Sequence, residues 1–183
     1  MTRNNAYKFC PQCGHKLIRQ SKTLLRCNSG HAYYISPKPS NVIILENDRG
    51  EILLTKRGIA PRIGYYDFPW GFINSGEALE ESAKREIKEE LGIDIEIVGY
   101  LGSYPGMYLY KNINYETIAF ALVAKITKGK ILINDDVSGY IFMKKDKVSN
   151  TRLAFPYFTK IWKDYLSQYQ EVREVWLMYS RSL

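Results

Sequence analysis

The chain has 183 residues, of which 45% are hydrophobic, and its formal net charge is +7. This composition excludes a globally disordered chain, and the length accommodates one ordinary domain with a small additional module. No apolar run is long enough to span a bilayer, and the polar residues 1–9 lack the apolar centre of a secretory signal. We therefore expect a cytoplasmic protein without a membrane partner.

The excess positive charge lies in the first 40 residues. That segment contains 7 basic residues and no Asp or Glu, whereas the 19 basic and 19 acidic residues of 41–183 cancel. A basic segment indicates a polyanionic partner, although metal-bound thiolates would offset part of its charge. A nucleic-acid partner is thus an alternative that the sequence does not favour.

The same segment contains all three cysteines of the chain. An odd number of cysteines that includes a Cys-x2-Cys pair is a poor disulfide framework and a better metal site. With one histidine they supply four ligands from two turns, which predicts a closed, tetrahedral structural zinc site: Cys10, Cys13, Cys27 and His31. His15 is the rival fourth ligand, and three reduced thiols without metal are the alternative.

This zinc module is predicted to occupy residues 1–36. Residues 23–26 and 32–35 flank the second turn and are typical of short strands. Pro37 and Pro39 then mark a boundary with the remaining residues 37–183.

The rest of the chain alternates between strand and helix patterns. Strands are predicted at 41–46, 51–56, 95–100, 115–125 and 140–144, and helices at 77–91 and 155–169. A loop rich in Gly, Pro and Tyr covers residues 58–67. Strands mixed with two helices predict an α/β fold in which a sheet is covered on both faces.

Three carboxylates on the first helix form the strongest candidate site. Glu86, Glu89 and Glu90 are three and four residues apart, so a helix brings them to one side. Like charges at this density are unfavourable unless a cation neutralises them, and hard oxygen ligands suit Mg²⁺ or Mn²⁺. A solvated acidic helix face is the alternative. Arg85 follows Glu77 by eight residues and can pair with it.

Residues 71–93 resemble the Nudix box, Gly-x5-Glu-x7-Arg-Glu-U-x-Glu-Glu-x-Gly-U with U aliphatic, at every defined position. The resemblance implies a Nudix α/β/α sandwich around a mixed sheet and hydrolysis of a pyrophosphate by metal-activated water. It implies that Glu86, Glu89, Glu90 and the Gly71 carbonyl bind Mg²⁺, and that Glu77 and Arg85 are structural. Glu89 is the first choice for a catalytic base, and later acidic residues remain open: Glu116, Asp135 and Asp136.

The N-terminal segment resembles the zinc ribbon that precedes the Nudix domain in NADH pyrophosphatases and related hydrolases. Those proteins usually have Cys-x2-Cys twice, whereas here Gly30 stands at the last cysteine position and His31 follows.

The substrate subgroup is less defined. NADH pyrophosphatases carry a Ser-Gln-Pro-Trp-type motif, and residues 103–106 read Ser-Tyr-Pro-Gly instead. Pro105 lies early for the ADP-ribose subgroup, while Tyr108 and Tyr110 lie where the dinucleoside polyphosphate group has a Tyr. We expect ADP-ribose or a nucleoside-diphosphate sugar, with NADH or a dinucleoside polyphosphate as the alternative. A non-catalytic nucleotide sensor with a nucleic-acid-binding ribbon is the contrasting class.

Substrate contacts are predicted around the 58–67 loop, where cationic and aromatic side chains can bind phosphate and a base. The candidates are Arg57, Tyr65, Tyr66 and Tyr104, with Arg62 a weaker one. Trp70, which replaces the small residue common before the box, favours core packing over base stacking. A homodimer is left open.

Overall fold

The computed structural model describes residues 7–134 and 136–180, with side chains up to residue 168. The chain divides into two compact units: Met1–Lys38 with Met107–Thr117, and Pro39–Gly106 with Ile118–Leu183. The first unit thus includes an internal segment that the predicted division at residue 36 assigns to the second, and that division stays a prediction. Within the described part, no helix is both long and apolar enough to cross a membrane.

The N-terminal segment forms a small antiparallel sheet in the order β1-β2-β3. Its strands are β1 (Ile18–Arg19), β2 (Leu24–Arg26) and β3 (Ala32–Tyr34), so both strands predicted here are confirmed to within one residue. One face of this sheet packs on a core of Cys10, Leu17, Leu25 and Cys27. Because this core is so small, the module depends on a further source of stability.

The main sheet has seven strands in the order β10-β5-β4-β9-β8, with β6 paired to β5 and β7 paired to β4. The strands are β4 (Lys38–Glu46), β5 (Ile52–Arg57), β6 (Tyr66–Asp67), β7 (Trp70–Phe72), β8 (Asp94–Tyr110), β9 (Ile113–Lys128) and β10 (Val137–Met143). The helices are α1 (Leu79–Leu91), α2 (Lys145–Ser149) and α3 (Pro156–Ser180).

Helices cover both faces of this sheet. Ile43 and Leu45 of β4 belong to one core cluster with Ile87 of α1. Because side chains alternate along a strand, Glu46 points to the opposite face, where its carboxylate accepts a hydrogen bond from Tyr165 of α3 at 2.7 Å. The predicted α/β class and the layered sandwich are therefore confirmed.

The predicted strand bounds of β8 and β9 were too short. The sequence predicted 95–100 and 115–125, whereas the strands have 17 and 16 residues. Gly102, Pro105 and Gly106 are typical of a loop, but β8 lies at the sheet edge, where a proline removes no needed hydrogen bond. Strands β6 and β7 and helix α2 were not predicted.

Candidate active site

Helix α1 is fixed by its ends and by its apolar face. The Glu81 carboxylate accepts a hydrogen bond from the backbone N–H of Ala78, and Gly92 ends the helix with a φ of 69°. The side chains of Ala83, Ile87 and Leu91 are fully buried in the core. This burial fixes the rotation of the helix and thereby the direction of its carboxylates.

Arg85 connects the residues of the predicted site. Its guanidinium binds the Glu77 carboxylate at 2.7 and 3.0 Å, and its Nη1 also donates to Glu86 at 2.8 Å and Glu89 at 2.9 Å. Its Nη2 further donates to the Phe72 carbonyl at 3.1 Å. One cation therefore joins the turn before α1, strand β7 and two of the three box carboxylates.

Gly71 allows close approach of β7 to α1. A Cβ atom at this position would overlap the carboxylate of Glu86. The Gly71 N–H donates to Asn41 Oδ1 at 3.1 Å, and Asn41 Nδ2 donates to Ser82 Oγ at 2.8 Å. Sequence analysis missed Asn41 and Ser82, although a polar residue inside an apolar strand or on an apolar helix face is the signal that identifies them.

The three box carboxylates differ in burial. Glu90 is 8% exposed, the Glu86 side chain 16% and the Glu89 side chain 51%. Burial raises the pKa of Glu86 despite the hydrogen bond from Arg85. The hydrogen bonds from Arg85 lower the pKa of Glu77 to about 2. Buried carboxylate oxygens beside a glycine backbone suit a hard divalent cation such as Mg²⁺ or Mn²⁺, which restores the charge balance that burial disfavours.

Arg57 lies inside the protein. It is 6% exposed, its Nη1 pairs with Asp67 at 3.0 Å, and its Nε donates to the Pro61 carbonyl at 2.7 Å. The guanidinium also lies 5.7 Å from the ring centroid of Trp70 and 5.2 Å from that of Phe155. Burial raises the pKa of Asp67 to about 6 even beside Arg57. This environment agrees with packing for Trp70 and argues against a direct phosphate contact by Arg57.

Tyr104 is also buried, with 3% of its surface exposed. Burial and a hydrogen bond with Asp164 raise its pKa, and Lys160 Nζ lies 4.9 Å from its ring centroid. Tyr104 therefore packs against α3. This packing argues against stacking on a base.

Tyr65 has a different environment from Tyr104. Its ring lies 5.6 Å from the guanidinium carbons of both Arg62 and Arg152, two exposed residues. Tyr66 is half-buried, and its carbonyl accepts a hydrogen bond from the Ala154 N–H at 2.8 Å. Arg152 was not identified from the sequence because it lies 87 residues after Tyr65.

The sequence offered three alternative catalytic bases, Glu116, Asp135 and Asp136. Glu116 belongs to the first compact unit. The Asp136 carbonyl accepts a hydrogen bond from the Gly58 N–H at 2.7 Å. Asp135 lies outside the described residues.

The N-terminal turns bring four ligand atoms together. One ligand atom from each of Cys10, Cys13, Cys27 and His31 lies within 4.8 Å of the other three, and this cluster can hold a metal ion. His31 Nδ1 lies 3.3 to 3.6 Å from the three sulfur atoms, and Cys13 Sγ lies 3.6 Å from Cys27 Sγ. A tetrahedral ion with bonds of about 2.3 Å to sulfur and about 2.1 Å to nitrogen separates neighbouring ligands by roughly 3.5–3.8 Å.

His15 is placed outside this cluster. Its Nδ1 lies 2.9 Å from Ser29 Oγ. If the cluster holds an ion, its geometry favours His31 over His15 as the fourth ligand.

Comparisons with known proteins identify the family of this chain. The family described as NUDIX domain matches residues 37–160. A protein named NAD-capped RNA hydrolase NudC from Haemophilus influenzae (strain ATCC 51907 / DSM 11121 / KW20 / Rd) is 37% identical over 103 residues, 54% of this chain and 39% of that protein. The protein of that name from Pectobacterium carotovorum subsp. carotovorum (strain PC1) is 32% identical over 129 residues, 69% of this chain and 46% of its own. The chain thus spans less than half the length of these relatives.

Solved structures share the fold. A NUDIX hydrolase from Nitrosomonas europaea superposes with a TM-score of 0.72 and 25% identity, covering 90% of this chain and 93% of the other. The NUDIX domain of Shewanella oneidensis NrtR, solved with ADP ribose, gives a TM-score of 0.59 at 18% identity and covers 73% of this chain and 88% of its own.

Proposed function

The chain belongs to the NUDIX domain family, and on that premise we propose that it hydrolyses the pyrophosphate bond of a nucleoside diphosphate linked to a second moiety. The observation that carries the proposal is the arrangement around Arg85, which binds Glu86 and Glu89, together with the close approach of Glu86 to Gly71 and the burial of Glu90. A solvated acidic helix face would not need a buried carboxylate pressed against a glycine.

Glu86, Glu89, Glu90 and the Gly71 carbonyl would bind Mg²⁺ or Mn²⁺. A divalent cation held there would supply Lewis acidity, which would lower the pKa of the attacking water and stabilise charge on the leaving phosphate oxygen. The water oxygen bonds to one phosphorus atom while the bridging P–O bond breaks, and two phosphate-bearing products leave. Glu89 is the most exposed of the three carboxylates and is the group that we propose accepts the proton.

Two substrates fit this chemistry, and both contain an adenosine diphosphate unit. We retain ADP-ribose or a related nucleoside-diphosphate sugar as one candidate, and the NrtR domain solved with ADP ribose shows that this fold accommodates that ligand. The second candidate is NADH or another dinucleotide. The sequence identity with the NAD-capped RNA hydrolases supports it about as well as the first candidate is supported. Residues 103–106, which differ from the NADH pyrophosphatase motif, count against that second candidate.

We propose that the substrate extends from the carboxylates towards Tyr65. Trp70 lies 5.5 Å from Phe72 and 5.6 Å from Phe155, as measured between ring centroids. The segment before Phe155 bridges to Tyr66 through Leu153. These contacts connect β7, the strand that contains Gly71, with residues 153–155 and with the 58–67 loop, where Arg62 and Arg152 flank Tyr65.

We propose that the surface around Tyr65 recognises a phosphate and the base of the substrate. Two exposed guanidinium groups over one tyrosine ring offer donors to a phosphate next to a flat surface for a base. Arg62 and Arg152 thus take the role that sequence analysis gave to Arg57. Tyr65 remains the aromatic candidate that the sequence had named.

For the N-terminal cluster we propose zinc, because three thiolates and one imidazole at tetrahedral spacing are its usual structural ligand set. All four positions are protein ligands, so the ion would be structural and would contribute to folding of a module with a small core.

A hydrolysis screen tests the function. The full chain with Mg²⁺ is incubated with ADP-ribose, NADH, a dinucleoside polyphosphate and a nucleoside triphosphate, and products are separated by chromatography. Release of AMP from ADP-ribose or NADH is the expected result. Binding of these compounds without any hydrolysis would instead support the non-catalytic sensor.

A further inference from the structure

The small N-terminal sheet has two faces, and one of them does not pack against the hydrophobic core of the module. Side chains alternate along a strand, and paired residues share a face. Leu25 of β2 faces the core and is 3% exposed. The residues of the opposite face follow from the register, in which Phe9 pairs with Lys16, Ile18 with Arg26, Arg26 with Ala32, and Leu24 with Tyr34.

This outer face combines large apolar side chains with cations. Phe9, Ile18 and Tyr34 are 65%, 50% and 64% exposed. Lys16 and Arg26 share the face with them and are also exposed. Folding of the module does not explain why these aromatic side chains are exposed. Burying them would have added to its stability.

The charged side chains of the N-terminal segment all have one sign. Residues 7–38 include six basic residues and no Asp or Glu. All six cations are exposed: Lys8, Lys16, Arg19, Lys22, Arg26 and Lys38. Among the side chains of residues 7–134 and 136–168, none forms a salt bridge with these cations. The complementary ligand is therefore a polyanion that also presents flat apolar surfaces.

We propose that this outer face binds single-stranded nucleic acid, with Phe9 and Tyr34 stacking on bases and Lys16 and Arg26 contacting phosphates. Single strands offer unstacked bases and phosphates together, whereas a duplex hides its base faces. A sheet presents its aromatic side chains in a plane, which suits successive bases. The proposal goes beyond the hydrolase activity and does not depend on it.

The test is fluorescence anisotropy of the full chain with a labelled single-stranded RNA of about ten nucleotides. The oligonucleotide carries a 5′-hydroxyl, and Mg²⁺ is omitted, so the result is independent of hydrolysis. A dissociation constant on the order of 10⁻⁵ M at low salt is expected. Single-stranded DNA, duplex RNA and anionic lipid vesicles are the comparison ligands.

Substitutions on the outer face test whether its residues bind the RNA. Phe9→Ala and Tyr34→Ala should each weaken binding about tenfold, whereas Tyr34→Phe should retain it. Lys16→Ala and Arg26→Ala should each reduce the slope of log K against log salt by about 0.7. Tyr140→Ala and Lys163→Ala alter exposed residues elsewhere and should change nothing.

Metal content and the circular dichroism spectrum are measured for each variant, so that loss of binding is separated from loss of the module. The proposal is overturned if RNA does not bind, or if duplex RNA or vesicles bind as tightly as single strands. It is equally overturned if both aromatic substitutions leave the affinity unchanged in a module that keeps its metal.

Discussion

Arg85 and Glu77 are joined by two hydrogen bonds, from Nε to Oε1 at 2.7 Å and from Nη2 to Oε2 at 3.0 Å. Helix α1 begins at Leu79, so the ion pair connects the turn before the helix with the helix itself. Because the same guanidinium binds Glu86 and Glu89, the pair also sets where the carboxylates of the site lie.

This pair predicts a pH dependence of stability. The pKa of Glu77 is lowered to about 2 by Arg85, below its ordinary value of 4.5. Its stabilising effect is therefore fully present above pH 4.5 and is lost as the pH falls towards 2. Between about pH 5 and pH 3, the melting temperature of the wild type should fall more steeply than that of Glu77→Gln. Glu96→Gln, which alters an exposed carboxylate of β8, should follow the wild type; parallel curves for all three proteins would contradict the prediction.

Gly71→Ala should disable the site without unfolding the domain. The new Cβ overlaps the Glu86 carboxylate, which must move away from β7. We expect kcat to fall by about 10²-fold or more, as when a metal ligand is displaced, and the Mg²⁺ concentration for half activation to rise. Gly139→Ala is the matched control, since its Cβ would meet only Lys56 Cβ at 3.9 Å. Equal activity of the two variants would show that Glu86 is not a ligand.

Glu89→Gln and Glu90→Gln should each lower turnover by about 10²-fold or more while the fold survives. If Glu89 is the base, its variant should also lose the acidic limb of the pH–rate profile, whereas Glu90→Gln should keep it. Glu80→Gln, an exposed residue of the same helix, serves as control. Wild-type turnover of both variants on a cleaved substrate would refute the assignment.

The N-terminal cluster should hold about one zinc per chain, measured by elemental analysis. His31→Ala and Cys27→Ser should lose the metal and loosen the module, whereas His15→Ala should retain it because His15 contacts Ser29 instead. Retention by His31→Ala together with loss by His15→Ala would reverse the ligand assignment.

The arginines near Tyr65 should separate into structural and binding residues. Arg57→Ala leaves Asp67 buried without its cation, so it should reduce the free energy of unfolding by about 3 kcal/mol. Arg62→Ala and Arg152→Ala should keep the melting temperature and raise KM about tenfold, a difference of ~1.4 kcal/mol. Unchanged KM in both would place phosphate recognition outside this surface.

Several features were predictable from local sequence because they depend on short-range geometry. The spacing of Glu86, Glu89 and Glu90 on a helix predicted their common side, and the Glu77–Arg85 pair was expected from two helical turns. The strands Leu24–Arg26 and Ala32–Tyr34 were predicted because they flank one short turn. The lengths of β8 and β9 were not predictable, since their hydrogen bonds depend on a partner strand rather than on their own residues.

The family and the carboxylate set could be predicted from the sequence, because residue types at fixed spacing along one segment define them. The alternation of strand and helix patterns along the chain predicted the layer architecture. The tertiary structure was needed to show which arginines are buried and which are exposed to a ligand. The sequence favoured Arg57 over Arg62 as a phosphate ligand. In the structure, however, the buried Asp67 pairs with Arg57, whereas Arg62 is exposed and lies with Arg152, 90 residues later, over the ring of Tyr65. Tertiary packing likewise buried Tyr104 and placed His31 rather than His15 among the thiols. Burial and long-range pairing decide these roles, and neither is encoded in the spacing of neighbouring residues.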